Sequence, residues 1–119
     1  MNRILLVENN RAQRQLYREE LEDEGYEVVP VMNGREALRS LGDSLFDLIV
    51  LDVLPPKMDA LKVLGKIVSR YRATPVIVHT AFPQFRNEPI SWLADACLVK
   101  SSDLTPFKRT VKQLLKRRS

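Results

Sequence analysis

The sequence predicts a doubly wound α/β domain built on a five-stranded parallel sheet. Three observations carry the prediction. Short continuous runs of branched apolar residues, clearest at Ile4–Val7 and Leu48–Leu51, suit strands buried on both faces. The stretches between them carry helix start and stop signals, Asn or Asp in front and Gly behind. The strand–helix alternation repeats five times without a 20–50-residue repeat or a low-complexity linker. That order gives a parallel sheet with helices on both faces, connected by right-handed crossovers.

The first strand, Ile4–Val7, ends in the polar cluster Glu8-Asn9-Asn10, and Asn10 is placed to cap the helix that follows. Ala12, Leu16 and Leu21 give that helix a weak apolar stripe, and Gly25 stops it. Five acids, Glu19, Glu20, Glu22, Asp23 and Glu24, crowd its C-terminal end, the wrong end for the helix dipole. Residues 26–31 read as the second strand. Asn33-Gly34-Arg35-Glu36 is a capped helix start, with Ala37, Leu38 and Leu41 as its buried face. The third strand runs into Asp52, and Pro55-Pro56 blocks a simple continuation. Leu61, Leu64, Ile67 and Val68 recur at helical spacing, and Pro75–Thr80 is a Val- and Ile-rich fourth strand. Pro83 and Pro89 cannot share a helix, which leaves a loop followed by a short helix over residues 89–93. Cys97–Val99 is the fifth strand. Asp103 caps the last helix, whose buried stripe is Leu104, Phe107, Val111, Leu114 and Leu115.

Length and composition set the class. The 119 residues make a single domain, 1–119, with 45% apolar and 29% charged residues, as expected of a globular chain with a real core. No apolar run approaches the ~20 residues needed to span a bilayer, and the N-terminal stretch is too short for a signal peptide. A lone cysteine, Cys97, rules out an internal disulfide framework and suits a reducing, cytoplasmic setting. The net charge of +4 is uneven: residues 104–119 hold six cations and no acid, which leaves −2 for the rest. Such an end ordinarily means a solvated helix face near a favourable dipole, and nucleic-acid binding is the less favoured meaning.

The chemistry-bearing residues fall at strand ends. In a parallel sheet all strand C-termini lie along one edge, where ligands bind near the switch point. Glu8 and Asn9, Asp52, Thr80 and Lys100 all follow or close strands, so they converge there. Each alone has an ordinary meaning; Asp52, for example, is of the residue type that caps turns. Together, two carboxylates flanked by a hydroxyl and an ammonium suit a hard cation such as Mg²⁺ and a phosphoryl group on Asp52. No Gly-rich phosphate loop and no Ser-His-Asp or Cys-His arrangement is present. His79 fills a strand position at the site edge, and Trp92 is a packing or partner-contact residue.

Residues 4–9, 52–59, 78–81 and 98–100 carry a resemblance over essentially the full length. Ile-Leu-Leu-Val-Glu-Asn, Asp-Val-Leu-Pro-Pro-Lys-Met-Asp, Val-His-Thr-Ala and Leu-Val-Lys resemble the four site motifs of the receiver domains of two-component response regulators. The resemblance implies a flavodoxin-like (βα)5 fold with strand order 2-1-3-4-5, and a signalling switch, not an enzyme. It implies that Asp52 accepts a phosphoryl group from a histidine kinase or phosphotransfer protein. It implies Mg²⁺ held by Glu8, Asp52 and the Leu54 carbonyl, with Asn9 beside them. Thr80 would bond the phosphoryl oxygen, Lys100 would pair with it, and a downstream protein would read the fourth helix, fifth strand and fifth helix.

The chain departs from the family pattern at four places. Asn9 replaces a second acid, which implies weaker Mg²⁺ binding. Cys97 replaces an aromatic residue, Ser101 a proline and Ala60 a frequent glycine. The competing readings are a phosphorylation-independent interaction module on the same fold, a hydrolase using Asp52 as nucleophile, and a nucleic-acid binder using the basic last helix. The hydrolase lacks a second acid suited to general acid–base work. With residue 119 closing the last helix, the sequence suggests a stand-alone switch.

Overall fold

A computed structural model describes residues 1–54 and 57–118. The element order is β1 (Arg3–Val7), α1 (Arg11–Asp23), β2 (Glu27–Val31), α2 (Gly34–Asp43), β3 (Leu48–Leu51), α3 (Lys57–Arg70), β4 (Val76–Thr80), a 3-10 turn (Pro83–Asn87), α4 (Ile90–Leu93), β5 (Ala96–Val99) and α5 (Thr105–Arg118). The five strands are parallel, in the order β2-β1-β3-β4-β5. Pro30 sits on the edge strand β2, where a missing donor is tolerated. The expected turn at Pro55-Pro56 lies outside the described residues.

The strands alternate their side chains between two cores. Leu5, Val7, Ile49, Leu51, Val76 and Val78 pack against Ala37 and Leu41 of α2 and Leu64 and Ile67 of α3. Ile4, Leu6, Leu48, Val50 and Ile77 pack against Tyr17 and Leu21 of α1 and Phe107, Val111, Leu114 and Leu115 of α5. Both faces of β1, β3 and β4 are therefore covered, which is why these strands read as unbroken apolar runs.

The helix signals act as the sequence suggests. Asn10 Oδ1 accepts from the Gln13 amide at 3.0 Å, and Asn33 Oδ1 accepts from the Glu36 amide at 3.0 Å. Glu36 reaches back one residue further than a simple capping box, to the Met32 amide at 2.7 Å. Gly25, at φ 95°, closes α1 with the paired bonds Gly25 N–H to the Glu22 carbonyl and Tyr26 N–H to the Leu21 carbonyl. Gly34 has a different reason: a Cβ there would lie 2.5 Å from Val63 Cγ2, so α2 meets α3 too closely for any side chain.

Two expectations are corrected. The buried stripe of α1 is Tyr17 and Leu21, while Ala12 and Leu16 are exposed; the helix is turned by one residue from the stripe that aliphatic residues alone suggest. The expected loop before α4 holds the turn Pro83–Asn87, which buries Phe85 in the α2–α3 core. The acidic end of α1 also finds a role: Lys108 of α5 pairs with Glu20 at 2.9 Å, and Arg18 pairs with Glu22 at 3.3 Å. The Lys108–Glu20 pair joins α5 to α1 and the Arg18–Glu22 pair lies within α1; surface pairs of either kind add little stability.

Candidate functional site

The parallel ladder runs one residue past the strands and thereby places the polar residues. The Glu8 amide donates to the Val31 carbonyl, the Asp52 amide to the Val7 carbonyl and the Lys100 amide to the Thr80 carbonyl. Thr80 itself pairs with Val99 in the β4–β5 register. Glu8, Asp52, Thr80 and Lys100 are thus fixed by backbone hydrogen bonds at one edge of the sheet. All four side chains are largely buried there, with Glu8 at 2% and Thr80 at 0% exposure.

Lys100 is the hub. Its Nζ lies 2.7 Å from Glu8 Oε1 and 3.3 Å from Asp52 Oδ1. It also donates to Gln13 Oε1 at 2.6 Å. The Glu8 carboxylate is further occupied by the Asn10 amide, which donates to Oε2 at 2.9 Å. Asp52 Oδ1 is buried and accepts no hydrogen bond, so the Lys100 contact is an ion pair without hydrogen-bond alignment. Burial and the neighbouring Glu8 raise the Asp52 carboxyl to about 7, against the opposing pull of Lys100. The Thr80 hydroxyl donates to the Val53 carbonyl at 3.1 Å and accepts from the Phe82 amide at 3.1 Å.

Asn9 is exposed and lines a cavity of about 240 Å³ with Asp52, Leu54, Asp59, Met32 and Val63. The cavity is open to solvent on the side of Asp52 that faces α2 and α3, and Leu54 stands at its mouth, 40% exposed. Among the described residues no cluster of three His, Cys, Asp or Glu side chains could hold a metal. On the cavity the oxygen donors are the Asp52 and Asp59 carboxylates, the Asn9 amide oxygen and backbone carbonyls, while Glu8 lies outside its lining with Oε1 on Lys100 and Oε2 on the Asn10 amide. An all-oxygen set with a buried carboxylate oxygen that accepts no hydrogen bond fits a hard divalent ion that keeps several waters.

Sequence reasoning missed two residues of this arrangement, Gln13 and Tyr17. Spaced by four, they lie with Leu21 on one face of α1, and that spacing was the available signal. The Tyr17 ring centroid is 5.9 Å from Lys100 Nζ. Burial, with Glu8 and Asp52 nearby, pushes its hydroxyl up to about 12. His79 lies beneath, stacked on Phe107 at 4.5 Å and tilted against Tyr17 at 5.0 Å. Burial lowers the imidazole to about 4, so at neutral pH it is an uncharged aromatic filler.

With this geometry in place, the comparisons are direct. Residues 4–112 match the response regulator receiver domain family. The chain is 31% identical, over 98% of its length, to the transcriptional regulatory protein PcoR of Escherichia coli, covering 53% of that protein. It is 43% identical over 81 residues to the transcriptional regulatory protein CpxR of Escherichia coli, covering 68% of this chain and 34% of that one. The chain therefore spans about half, or less, of the curated relatives it matches. Among solved structures, the response regulator TrrA of Thermotoga maritima in complex with Mg²⁺-BeF superposes with a TM-score of 0.90 at 38% identity, covering 96% of this chain and 99% of that one. TrrA in complex with the histidine kinase ThkA gives 0.88 at 38% identity, covering 97% and 99%. A match over most of the length, on a sheet of the same strand order whose edge gathers Glu8, Asp52, Thr80 and Lys100, makes this chain a member of the response regulator receiver domain family.

Proposed function

We propose that the domain is a phosphorylation switch in which Asp52 accepts a phosphoryl group from a histidine kinase or phosphotransfer protein. The observation that carries this is the Asp52 carboxylate: buried at the end of β3, with Oδ1 accepting no hydrogen bond and ion-paired to an ammonium 3.3 Å away. A carboxylate oxygen attacks phosphorus, the phosphorus–nitrogen bond of the donor imidazole breaks, and the electron pair stays on that nitrogen. The product is an acyl phosphate on Asp52. Lys100 supplies a positive charge to the new phosphoryl oxygens, and Thr80 supplies a hydroxyl once it leaves the Val53 carbonyl. Glu8, Asp52, the Leu54 carbonyl and Asn9 would hold Mg²⁺, which when bound neutralises charge on the carboxylates and the phosphoryl group.

The test is mass spectrometry after incubation with acetyl phosphate and Mg²⁺. One added phosphoryl group is expected in wild type and none in Asp52→Ala. Equal modification of both proteins would reject Asp52 as acceptor. A wild type that stays unmodified would instead favour a phosphorylation-independent interaction module.

The output surface in this reading is α4, β5 and α5, read by a downstream protein partner. Trp92 is 77% exposed on α4 beside the half-exposed Leu93, an apolar anchor of the kind over-represented in binding hot spots. The cations of α5 lie on the next helix along the chain. Trp92 is the chain's one tryptophan, so its emission reports on this surface directly. Phosphorylation is expected to shift that emission, and an identical spectrum before and after full modification would remove α4 from the switch. No described helix is long and apolar enough to cross a membrane.

A further inference from the structure

We propose that Gln13 is a positioning residue for Lys100. It parks the ammonium on the α1 side of the site, and the ammonium must give up the Gln13 oxygen to engage a phosphoryl group fully. The inference rests on the reading of Asp52 as phosphoacceptor.

The geometry sets out a competition. An ammonium has three donors. Two of them are committed, to Gln13 Oε1 at 2.6 Å and to Glu8 Oε1 at 2.7 Å. Asp52 Oδ1 lies further off at 3.3 Å and, although buried, receives no aligned hydrogen bond. With two of the three donors turned to Glu8 and Gln13, the third is not aligned on Asp52 Oδ1, which keeps an ion pair without a hydrogen bond. Glu8 is itself fixed by the Asn10 amide. The Gln13 backbone is fixed in the first turn of α1, where its backbone N–H donates to Asn10 Oδ1. One turn on, the Tyr17 ring borders the ammonium from the same helix face. Helix α1 therefore holds Lys100 by an amide acceptor backed by an aromatic ring.

The Lys100 stem is flexible, and the ammonium can redirect its donors without backbone movement. A phosphoryl group on Asp52 brings charged acceptors, which outcompete a neutral amide. The Gln13 bond then subtracts from the stability of the modified state, because it must be given up. Removing the acceptor while keeping the side-chain shape is expected to favour the phosphoryl-bound state about tenfold, the weight of a hydrogen bond to a charged group.

The experiment uses Gln13→Met, close in shape but without the acceptor, with Gln13→Leu as a second variant. In lysine-labelled, metal-free protein, the Lys100 ammonium protons should exchange with water about tenfold faster in Gln13→Met than in wild type. With saturating Mg²⁺, beryllofluoride should bind both variants about tenfold more tightly than wild type, because the unliganded state alone loses the Gln13 bond. A residue that merely supported α1 would weaken binding or leave it alone, and would not change the ammonium exchange. Unchanged exchange, or binding equal to or weaker than wild type in both variants, overturns the proposal. If wild type fails to bind beryllofluoride at all, the phosphoacceptor reading falls, while the ammonium exchange still decides whether Gln13 holds Lys100.

Discussion

Asp52→Asn should make the metal-free domain more stable, and the gain should depend on pH in a defined direction. In the fold the Asp52 carboxyl is raised from 3.8 to about 7 by burial and by Glu8. For an acid raised on folding, the unfolded chain releases its proton first. The Asp52 contribution to stability is therefore fully present below pH 3.8 and is lost as pH rises towards about 7. The separation of the two values, at ~1.4 kcal/mol per tenfold, sets an upper bound of about 4 kcal/mol for the cost of the ionised group. Lys100 is close enough to relax towards Asp52 and recover part of it, so the expected gain in Asp52→Asn at pH 8 is about 2 kcal/mol. For a domain of this size that is roughly 8 °C in thermal midpoint. The assay is thermal unfolding of both proteins at pH 4 and pH 8 without divalent ions. The difference should be clear at pH 8 and nearly vanish at pH 4, and Mg²⁺ at pH 8 should raise wild type more than the variant. Equal midpoints at pH 8, or a gap that widens on acidification, would refute the reasoning.

Two further outcomes follow from the cavity beside Asp52. Asn9→Asp should tighten Mg²⁺ binding about ten- to a hundredfold by restoring a third carboxylate, while slightly destabilising the metal-free fold; equal affinity in a calorimetric titration would leave Glu8 and Asp52 as the whole determinant. Leu54→Asn should shorten the life of the acyl phosphate, since Leu54 stands apolar at the cavity mouth and an amide there can orient water; equal or slower decay, read by loss of the added mass, would contradict this.

The strand-end residues were legible because a parallel sheet leaves them little freedom. Once Ile4–Val7 and Leu48–Leu51 are read as buried strands, the next residue of each falls on the same edge, and the ladder bonds of Glu8 and Asp52 hold them there. The caps at Asn10 and Asn33 were legible for a similar reason, being local bonds across three residues. What escaped was decided at long range. Gln13 and Lys100 are 87 residues apart, and nothing local to either implies a shared hydrogen bond. The face of α1 escaped because Leu16 outranks Tyr17 in apolarity, yet Tyr17 has His79 and Phe107 to pack against. Phe85 escaped because a turn of five residues has no helical period to reveal its buried side.

Phe85 also bears on the absence of an aromatic residue at position 97. Cys97 is half-buried on β5 and packs against the same core that receives Phe82 and Phe85 from the Pro83–Asn87 segment. Phe85 is 3% exposed, and its ring meets Phe82 edge-on at 6.2 Å. The bulk that a strand aromatic would bring to this region thus enters from the chain just after β4. That chain is bonded to the site, because the Phe82 amide donates to Thr80 Oγ1. The Thr80 hydroxyl cannot turn to a new acceptor without releasing the Val53 carbonyl, and a large rotation also strips the Phe82 amide of its partner. An unpaired amide in a half-buried position carries a cost of about 1–3 kcal/mol, which the segment can remove only by moving. Movement of Phe82 presses on Phe85, which is closely packed and has no room to yield by small degrees. A displacement of Thr80 is therefore expected to reach the segment leading to α4, where Trp92 stands exposed, and an unchanged Trp92 emission in a variant that moves the Thr80 hydroxyl would contradict this.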